Sequence, residues 1–495
     1  MKIQRPLPRF LVLLLLTILI IAVDGYHYGT DDGAIYIPAV ERFVHPQLFP
    51  YGAAFFEAHG RISIFSKIVG AVVLWLHVPL PWAVLLFHLF GLWLLLAAGL
   101  WLATLCLRGQ CAQWAGLLTL ASVLTIPVAG TGLPIMDPYL TARSLSTPVT
   151  LLAVAAMLAG RPLAAALLLL LTALLHPQMA VFGLAVTVLL ALPRLAPRAV
   201  PAQGAVAGGL GLVGRLPAAV RFGPAQGAYR ETLYARSFFF AWAWAWYEWL
   251  GAILPFVLLF ALTRRQPPAL TSAALRLCRA LLVLAALSTA SFVLFGSSAY
   301  FNDFVRLQPM RCFHLVYIVM FVLLGGLAGE RLLRTHPWRW LAFFLPLAAL
   351  FFAVDRRTYP ASQHLELPGR AAANPWVAAF RWVRDNTPQN AVFALPPQYI
   401  LLPGEDAHGF RALAERSMLA DAVKDAGVVS VFPQMAAAWE RDQQATRGWP
   451  HYTAADFRAL PQRSPATWAI VQPVQAASLD CPYRNRAVAV CRLTP

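Results

Sequence analysis

Charged side chains are scarce in this chain. Only 12% of its 495 residues are Asp, Glu, Lys or Arg, while 59% are hydrophobic, and the mean hydropathy is +0.62. Soluble domains carry about 25% charged residues. The composition therefore excludes an ordinary soluble protein and predicts a membrane protein with several spans.

Acidic residues are the scarcest charged type. There are 22 of them against 39 basic residues, nearly all Arg, which gives a formal net charge of +17. Much of this basic excess lies between hydrophobic segments, and no nucleic-acid-binding motif is present. The pattern fits positive-inside topology and contact with anionic lipid or phosphate, and it argues against a nucleic-acid partner.

Cysteine is also rare, with six in the whole chain. Two of them, Cys481 and Cys491, flank the stretch PYRNRAVAV near the C-terminus, where two short strands could pair. If this tail lies outside the cytoplasm, we expect a disulfide between them.

Long hydrophobic runs fill the chain up to residue 354. The first, FLVLLLLTILIIAV, follows three basic residues and has no small-residue cleavage site before Asp24, so it predicts an uncleaved span with a cytoplasmic N-terminus. The next run, from residue 62 to 77, contains Lys67 and is amphipathic. We expect it to lie in the membrane interface, which makes residues 25–80 a long first outer loop.

The remaining runs bring the predicted total to about eleven spans. We place them at about 82–106, 112–129, 149–159, two short spans within 163–192, 202–220, 249–262, 280–296, 312–329 and 338–354. The segment at 202–220 is weak and rich in glycine. Every short loop that this arrangement assigns to the cytoplasm carries Arg, as orientation in a membrane requires.

From about residue 355 the composition changes to mixed charge, turn residues and short apolar runs. Asn374 before Pro375 predicts a helix N-cap, WVAAFRWV has helical spacing, and AVFAL is typical of a strand. The predicted fold class is a polytopic α-helical membrane protein of about eleven helices, residues 1–354, with an extracytoplasmic soluble α/β domain, residues 355–495.

Three groups of polar residues fall on the predicted outer face. The first is the pair Asp31 and Asp32 in YHYGTDDGAIYIPA, with Glu57 and His59 further along the same loop. An aspartate here could simply be solvated or cap a helix that begins near Ala34. An adjacent acidic pair among tyrosines at a membrane interface also indicates a functional site.

The second group is Asp137 and Arg143 in MDPYLTARSLSTP, and the third is Arg306, Gln308 and Arg311 in YFNDFVRLQPMRCFHL. An aspartate before proline is a common N-cap, so Asp137 has a structural alternative. Arginine on the outer side runs against the orientation rule, and its fork geometry suits a lipid phosphate. Snorkelling to headgroups is the structural alternative for these arginines.

Two further features are weaker. His176, in LLHPQMA, is expected at a short turn between spans on the outer side, where it could join the site. The run FFFAWAWAWYEWL suits an aromatic belt at the interface better than a platform for stacking a sugar.

This arrangement resembles the C-type membrane glycosyltransferase superfamily (GT-C), which includes bacterial oligosaccharyltransferases, protein O-mannosyltransferases and aminoarabinose transferases. The matching features are the long first outer loop with its acidic pair in YGTDDGAIYIPA, the second acidic loop MDPYLTARSLSTP, and a soluble C-terminal region containing WVRDNTPQNAVFALPP. The second loop carries the single Asp137 in place of an Asp-x-Asp, and the tail lacks a Trp-Trp-Asp motif.

The resemblance implies transfer of a sugar from a polyprenyl-phosphate donor to a glycan, lipid or protein acceptor, at the periplasmic face of a bacterial inner membrane. By this resemblance Asp31 would be the general base, with Asp32 as the alternate, and Asp137 would position the acceptor. Asp31 and Asp137 could also hold a divalent cation such as Mg²⁺ or Mn²⁺. Arg306 and Arg311 would bind the phosphate that leaves.

Roles in binding the substrate or the lipid phosphate extend to the remaining polar candidates of these loops, namely Arg143, Gln308, His176, Glu57 and His59. Two other classes of protein stay open. A transporter or flippase would show repeated spans and ionisable groups at mid-membrane, whereas these charges cluster at one face. A catalytically inactive scaffold subunit of an envelope glycan assembly system would carry much the same residues.

Overall fold

The computed structural model describes residues 6–192 and 222–493. The weak span predicted at about 202–220 lies outside these residues. Before the gap the helices are α1 Pro6–Asp24, α2 Gly33–Val44, α3 Ala54–Ile62, α4 Phe65–Leu76, α5 Leu80–Cys106, α6 Gln110–Ala121, α7 Ala142–Leu158, α8 Pro162–Leu175 and α9 Pro177–Ala191.

The helices continue beyond the gap into the C-terminal region. They are α10 Gly227–Tyr234, α11 Trp246–Arg265, α12 Ser272–Gly296, α13 Asn302–Val305, α14 Phe313–Ala328, α15 Pro337–Thr358, α16 Pro375–Asn386, α17 Phe410–Ala414, α18 Lys424–Val431, α19 Ala436–Ala445 and α20 Ala454–Arg463. The predicted domain boundary at 354/355 falls inside α15.

Several helices are suited to a membrane by length and composition. Among the described residues, five helical segments are long and apolar enough to cross one: Leu80–Cys106, Trp246–Arg265, Ser272–Gly296, Ala299–Leu333 and Pro337–Thr358. Three shorter apolar helices, α7, α8 and α9, accompany them. The chain is therefore mostly helical with several apolar helices, and the total of eleven spans stays a prediction.

Two of the predicted runs take a different form in the structure. The run expected at 112–129 is the 12-residue helix Gln110–Ala121, followed by turns. The run from residue 62 continues α3, and α3 and α4 meet at an angle of 96°. This pair has the shape of a broken span or a re-entrant loop.

Helix α7 lies at the centre of the helical region. Almost all of its side chains are buried, and it packs against α5, α8 and α9. Its N-cap is Thr141, which accepts a hydrogen bond from the Ser144 backbone nitrogen in a capping box. The alternative that Asp137 caps this helix is therefore wrong, since a hydroxyl four residues later performs that function.

The C-terminal region contains a five-stranded sheet. Its strands are β1 Val392–Ala394, β2 Ser417–Met418, β3 Trp468–Val471, β4 Asp480–Arg484 and β5 Ala489–Arg492, and their order is β2-β1-β3-β5-β4. Strand β1 pairs in parallel with β2 and β3, while β3, β5 and β4 pair antiparallel. Cys481 and Cys491 form a disulfide between β4 and β5.

Apolar cores cover both faces of this sheet. Trp376 and Phe380 of α16 pack on one face together with Phe410, while Phe457 of α20 packs on the other with Trp449. Asn374 accepts hydrogen bonds from the backbone nitrogens at the start of α16, as predicted for this N-cap. The helix ends at Asn386, next to Pro388.

The first loop is attached directly to this C-terminal region. Tyr26 pairs with Leu365 and Thr30 pairs with His408 in isolated β-bridges. The side chains of Ala34 and Tyr28 join the core on the α16 face of the sheet. Residues more than 300 positions away in the sequence therefore fix the loop that carries the acidic pair.

Candidate functional site

The acidic pair stands at the start of α2. Asp32 occupies the N-cap position, yet its side chain makes no capping hydrogen bond. Asp31 has a φ of 49°, in the left-handed region that aspartate adopts more readily than most residues. Its backbone nitrogen donates to the Ala407 carbonyl oxygen at 2.7 Å. Both carboxylates are consequently available for contacts other than capping.

A lysine from the C-terminal region occupies the space between these carboxylates. The Nζ atom of Lys424, at the start of α18, forms an ion pair with Asp31 and lies 3.2 Å from Oδ1 of Asp32. The lysine side chain is 17% exposed, whereas Asp31 is 46% exposed. The pair therefore opens to solvent on one side and faces the amino group of Lys424 on the other. Burial lowers the pKa of Lys424 to about 7.

The second acidic loop approaches the same carboxylates from α7. Arg143 donates from Nη2 to Oδ2 of Asp137 at 2.6 Å, and its Nη1 lies 3.8 Å from Oδ2 of Asp32. Burial raises the pKa of Asp137, and the Arg143 guanidinium opposes that rise. Arg143 thus links the two acidic loops that the sequence placed on one face.

Arg311 lies on the far side of this group. Its Nη1 donates to Oε1 of Gln178 at 3.2 Å, and its guanidinium lies 6.0 Å from the ring centre of Phe238. Its charge interacts with those of Arg143 and Asp32. In the ranges that the structure covers, Arg311 has no acidic side chain within ion-pair distance.

Two histidines complete the surroundings. His176, at the break between α8 and α9, interacts electrostatically with Arg143, Arg311 and His59. The ring of His59 is 6.2 Å from that of Tyr36 and 5.3 Å from that of Phe432. The structure therefore brings His59 and His176 to the same cluster, although 116 positions separate them.

Buried polar atoms without a hydrogen-bond partner are concentrated around Arg143 and Arg311. Within the described residues, several enclosed nitrogen and oxygen atoms of this cluster have no hydrogen-bond partner: Arg143 Nε, Arg311 Nε, His59 Nδ1, His176 Nδ1 and Asp137 Oδ1. Enclosed polar atoms are normally paired, because leaving one unpaired costs about 1–3 kcal/mol. Such a concentration indicates a site shaped for a polar ligand.

Asp137 also faces a small cavity on its other side. This cavity has room for about one water molecule, and Asp24 and His88 line it with Asp137. In the described part of the chain, both Asp24 carboxylate oxygens and His88 Nδ1 lack a partner. One ordered water would satisfy such atoms, as buried waters commonly do.

Three predicted site residues are placed differently. Glu57 pairs with Arg42 of α2 at 2.5 Å. Arg306 lies 3.8 Å from Asp303 and donates to its carbonyl oxygen. Gln308 forms the turn before Arg311, and its Oε1 is enclosed without a partner among the described residues. Arg306 contacts Asp303 and the carbonyl oxygen of Val431, and these contacts give no support to its predicted phosphate role.

A divalent cation does not fit the donors that are present. Asp31 and Asp32 face Lys424, and Asp137 faces Arg143. No group of three His, Cys, Asp or Glu residues in ligand geometry occurs among the residues described. The role of Mg²⁺ or Mn²⁺ at this site therefore stays a prediction.

Lys424, Arg236 and Gln178 were not found by sequence reasoning. The Nη2 of Arg236 donates to the Val423 carbonyl oxygen, and its charge interacts with Asp32. One sequence signal was available for Lys424, because lysine occurs at only three positions in a chain with 39 basic residues. No comparable signal marks Arg236, one of many arginines.

Comparison with known proteins adds little to this geometry. A family model described as a domain of unknown function (DUF6798) matches residues 374–441, a stretch that includes Lys424. No curated protein matches the chain. The solved structure of ArnT from Cupriavidus metallidurans in the apo state is similar at 14% identity, with a TM-score of 0.44, over 98% of this chain and 97% of that one. At this level of similarity the function has to be argued from the site itself.

Proposed function

We propose that the chain is a membrane glycosyltransferase that transfers a sugar from a polyprenyl-phosphate donor to an acceptor. The observation that carries this proposal is the position of Arg311. Its guanidinium, with Arg143, faces an acidic pair, yet no acidic side chain of the described ranges pairs with it. A fork-shaped cation left open in this way suits a phosphate.

The proposed reaction uses the carboxylates of the acidic pair and the guanidinium groups of Arg143 and Arg311. An acceptor hydroxyl attacks the anomeric carbon, its proton passes to Asp31 or Asp32, and the bond from that carbon to the phosphate oxygen breaks. The electron pair leaves with the polyprenyl phosphate, whose added negative charge Arg311 and Arg143 stabilise. Attack opposite to the departing phosphate inverts the anomeric centre. The proposed base is Asp31, with Asp32 as the alternate.

Asp137 has a supporting role in this proposal. Its Oδ2 holds Arg143 at 2.6 Å, so the guanidinium is directed toward Asp32 rather than into solvent. The second oxygen, Oδ1, has no partner in the described part of the chain and is free to receive a hydrogen bond. His59 and His176 can contact the donor or acceptor from the α3 and α8 sides of the site.

The cellular setting forms part of the proposal. A lipid-linked donor requires a site at a membrane surface, and the apolar helices fit a bacterial inner membrane with a cytoplasmic N-terminus. The cluster and the C-terminal region would then face the periplasm, where the Cys481–Cys491 disulfide is stable. The acceptor would be a glycan, a lipid or a protein.

Transfer of labelled sugar from polyprenyl-phosphate donors tests this proposal. Purified wild-type protein is compared with Asp31→Asn and Asp32→Asn, and Asp480→Asn serves as a control because Asp480 is an exposed residue of β4. Removal of the general base should lower the rate by about 10²–10⁴-fold. Equal rates in wild type and both site variants would contradict the assignment of the pair as base.

The other protein classes give different results in the same assay. A scaffold would turn over no donor in the wild-type form, while a transporter would move the donor across a membrane without breaking its sugar-phosphate bond. The unpaired atoms around Arg311 favour the transferase, because they are grouped with an acidic pair at one face.

A further inference from the structure

Lysine is almost absent from this chain. Of its 39 basic residues only Lys2, Lys67 and Lys424 are lysines, and the other 36 are arginines. Lys424 nonetheless contacts both carboxylates of the acidic pair. A lysine at this position, in a chain that otherwise relies on arginine, indicates a need for a compact ammonium group.

The backbone around Lys424 is held firmly. Oδ1 of Asp421 accepts hydrogen bonds from the backbone nitrogens of Val423 and Lys424 at 2.7 and 2.5 Å. Asp425 in turn binds both Nη atoms of Arg411 at 2.9 Å. The start of α18 is therefore fixed, and with it the base of the lysine side chain.

We propose that Lys424 is a positioning residue of the transferase site, through which the C-terminal region orients the acidic pair and keeps it ionised. This inference rests on the proposed function for its catalytic consequence. One ammonium between two carboxylates offsets the repulsion that would otherwise raise the pKa of one of them. Below neutral pH the Lys424 side chain carries a positive charge, so without it the pair should take up a proton at a higher pH and act less well as a base.

Other charged groups act on the pair, and they limit the size of this effect. Arg143 lies 3.8 Å from Asp32, and it remains when Lys424 is replaced. The groups facing the pair or Lys424 from the neighbouring elements are Arg143, Arg236, Arg311, His59, Tyr36, Asp137, Tyr139, Asp421 and Asp425. An opposite charge at this range shifts a carboxyl pKa by about one to three pH units.

Two measurements report the pH at which Asp31 and Asp32 become protonated. First, the pH profile of kcat is compared for wild type, Lys424→Met, Lys424→Arg and the control Lys67→Met, whose side chain is exposed on α4. Second, a water-soluble carbodiimide, which reacts with protonated carboxyls, labels Asp31 and Asp32 at a series of pH values, followed by mass spectrometry. Exposed Asp480 provides the internal reference in every sample.

The expected result is the same in both measurements. In Lys424→Met the acidic limb of the kcat profile and the labelling midpoint of the pair move up by about one to three pH units. Lys424→Arg returns both toward the wild-type values because it keeps the charge, although its larger head lowers kcat. Lys67→Met matches wild type.

The outcomes separate this inference from the proposed function. A labelling midpoint that stays unchanged in folded Lys424→Met overturns the inference, whether or not transfer occurs. A midpoint that shifts in Lys424→Met supports the effect of Lys424 on the pair. If the wild-type protein transfers no sugar in the same experiments, the proposed transferase function is contradicted. If Lys424→Met does not fold, Lys424→Gln takes its place as the neutral variant. A raised labelling midpoint then supports the charge effect, whereas a wild-type midpoint overturns it.

Discussion

The C-terminal region and the candidate site use buried arginine differently. In the C-terminal region, Arg411 binds Asp425 through two hydrogen bonds of 2.9 Å. In the candidate site, the corresponding contact of Arg311 is to the neutral amide of Gln178 at 3.2 Å. One guanidinium has its counter-charge within the protein, and the other lacks one in the described ranges.

This difference separates residues that hold the fold from residues that are available to a ligand. A paired guanidinium gains from its partner and loses much when that partner is removed. Arg311 gives up hydration for a hydrogen bond to a neutral amide, so an anion that binds there would explain its presence. The following substitutions should act on stability in the first region and on transfer in the second.

The largest effect is expected for Arg411→Met. It leaves the Asp425 carboxylate buried without its partner, which should lower the free energy of unfolding by about 3–5 kcal/mol. Unfolding in detergent with a chemical denaturant measures this change. Arg492→Met is the control, because its pair with Asp480 is exposed and worth less than about 1 kcal/mol. An equal loss of unfolding free energy in the two variants would contradict the structural role assigned to Arg411.

Arg311→Met should have its effect on transfer instead. Loss of a group that stabilises developing phosphate charge lowers the rate by about 10²–10³-fold. The free energy of unfolding should fall less than in Arg411→Met, since no ion pair among the described residues is broken and only a hydrogen bond to the Gln178 amide is lost. Rates come from the labelled-sugar assay and stabilities from the same denaturant series. A destabilised variant with normal transfer would reverse the assignment.

An intermediate effect is expected from pH at the contact between the first loop and the C-terminal region. His408 Nε2 lies 3.0 Å from Glu366. Burial alone would lower the pKa of His408, but the Glu366 and Glu405 carboxylates outweigh it and raise that pKa to about 9. Burial would raise the pKa of Glu366, but the His408 charge outweighs it and lowers that pKa.

The sign of the pH effect follows from these directions. The His408 contribution is complete below its unfolded pKa of about 6.5 and is lost as the pH rises through 9. The Glu366 contribution is lost only in acid, below about pH 4.5. Stability should therefore fall by about 1–3 kcal/mol between pH 6.5 and 10, and less in Glu366→Gln. Identical pH slopes in the two proteins would refute this.

The smallest effect is expected for Arg306→Met. Its guanidinium contacts Asp303 at 3.8 Å and a backbone carbonyl of α18 at 3.4 Å. We expect stability to change by less than about 1 kcal/mol, because the ion pair is long and partly exposed. Transfer should stay within a few-fold of wild type, and a loss as large as that of Arg311→Met would return Arg306 to the phosphate site.

The sequence predicted the helical character and much of the local structure. The N-cap at Asn374 and the strand at AVFAL follow from local rules, and the structure has both. Span lengths were less predictable, as the 12-residue helix Gln110–Ala121 shows. Hydrophobicity marks which residues avoid water, but the turns after Ala121 depend on distant contacts, such as the hydrogen bond that the Ala129 backbone nitrogen donates to the Tyr317 hydroxyl.

The site was predictable in part. Asp31, Asp32, Asp137 and Arg143 converge because each loop follows an apolar segment to the same face. Lys424 could not be placed from sequence, because its contact with the pair spans 392 positions and depends on the packing of the whole C-terminal region.

Arg306 and Arg311 show that a sequence pattern does not determine which partner each arginine binds. They are five positions apart in one short stretch of sequence, and both were predicted to bind a phosphate. Only the positions of Asp303 and Gln178 distinguish them. Partner choice of this kind is a tertiary property, because the decisive neighbour of Arg311 lies 133 positions away.

Direct binding of a polyprenyl monophosphate tests the central claim most directly. Native mass spectrometry or quenching of a fluorescent lipid phosphate would compare wild type, Arg311→Met and Arg306→Met in the same detergent. The account predicts that wild type and Arg306→Met bind alike, while Arg311→Met binds at least about tenfold more weakly, a loss of about 1.4 kcal/mol. Equal affinity of all three proteins, or no binding by wild type, would contradict the assignment of this cluster to a lipid phosphate.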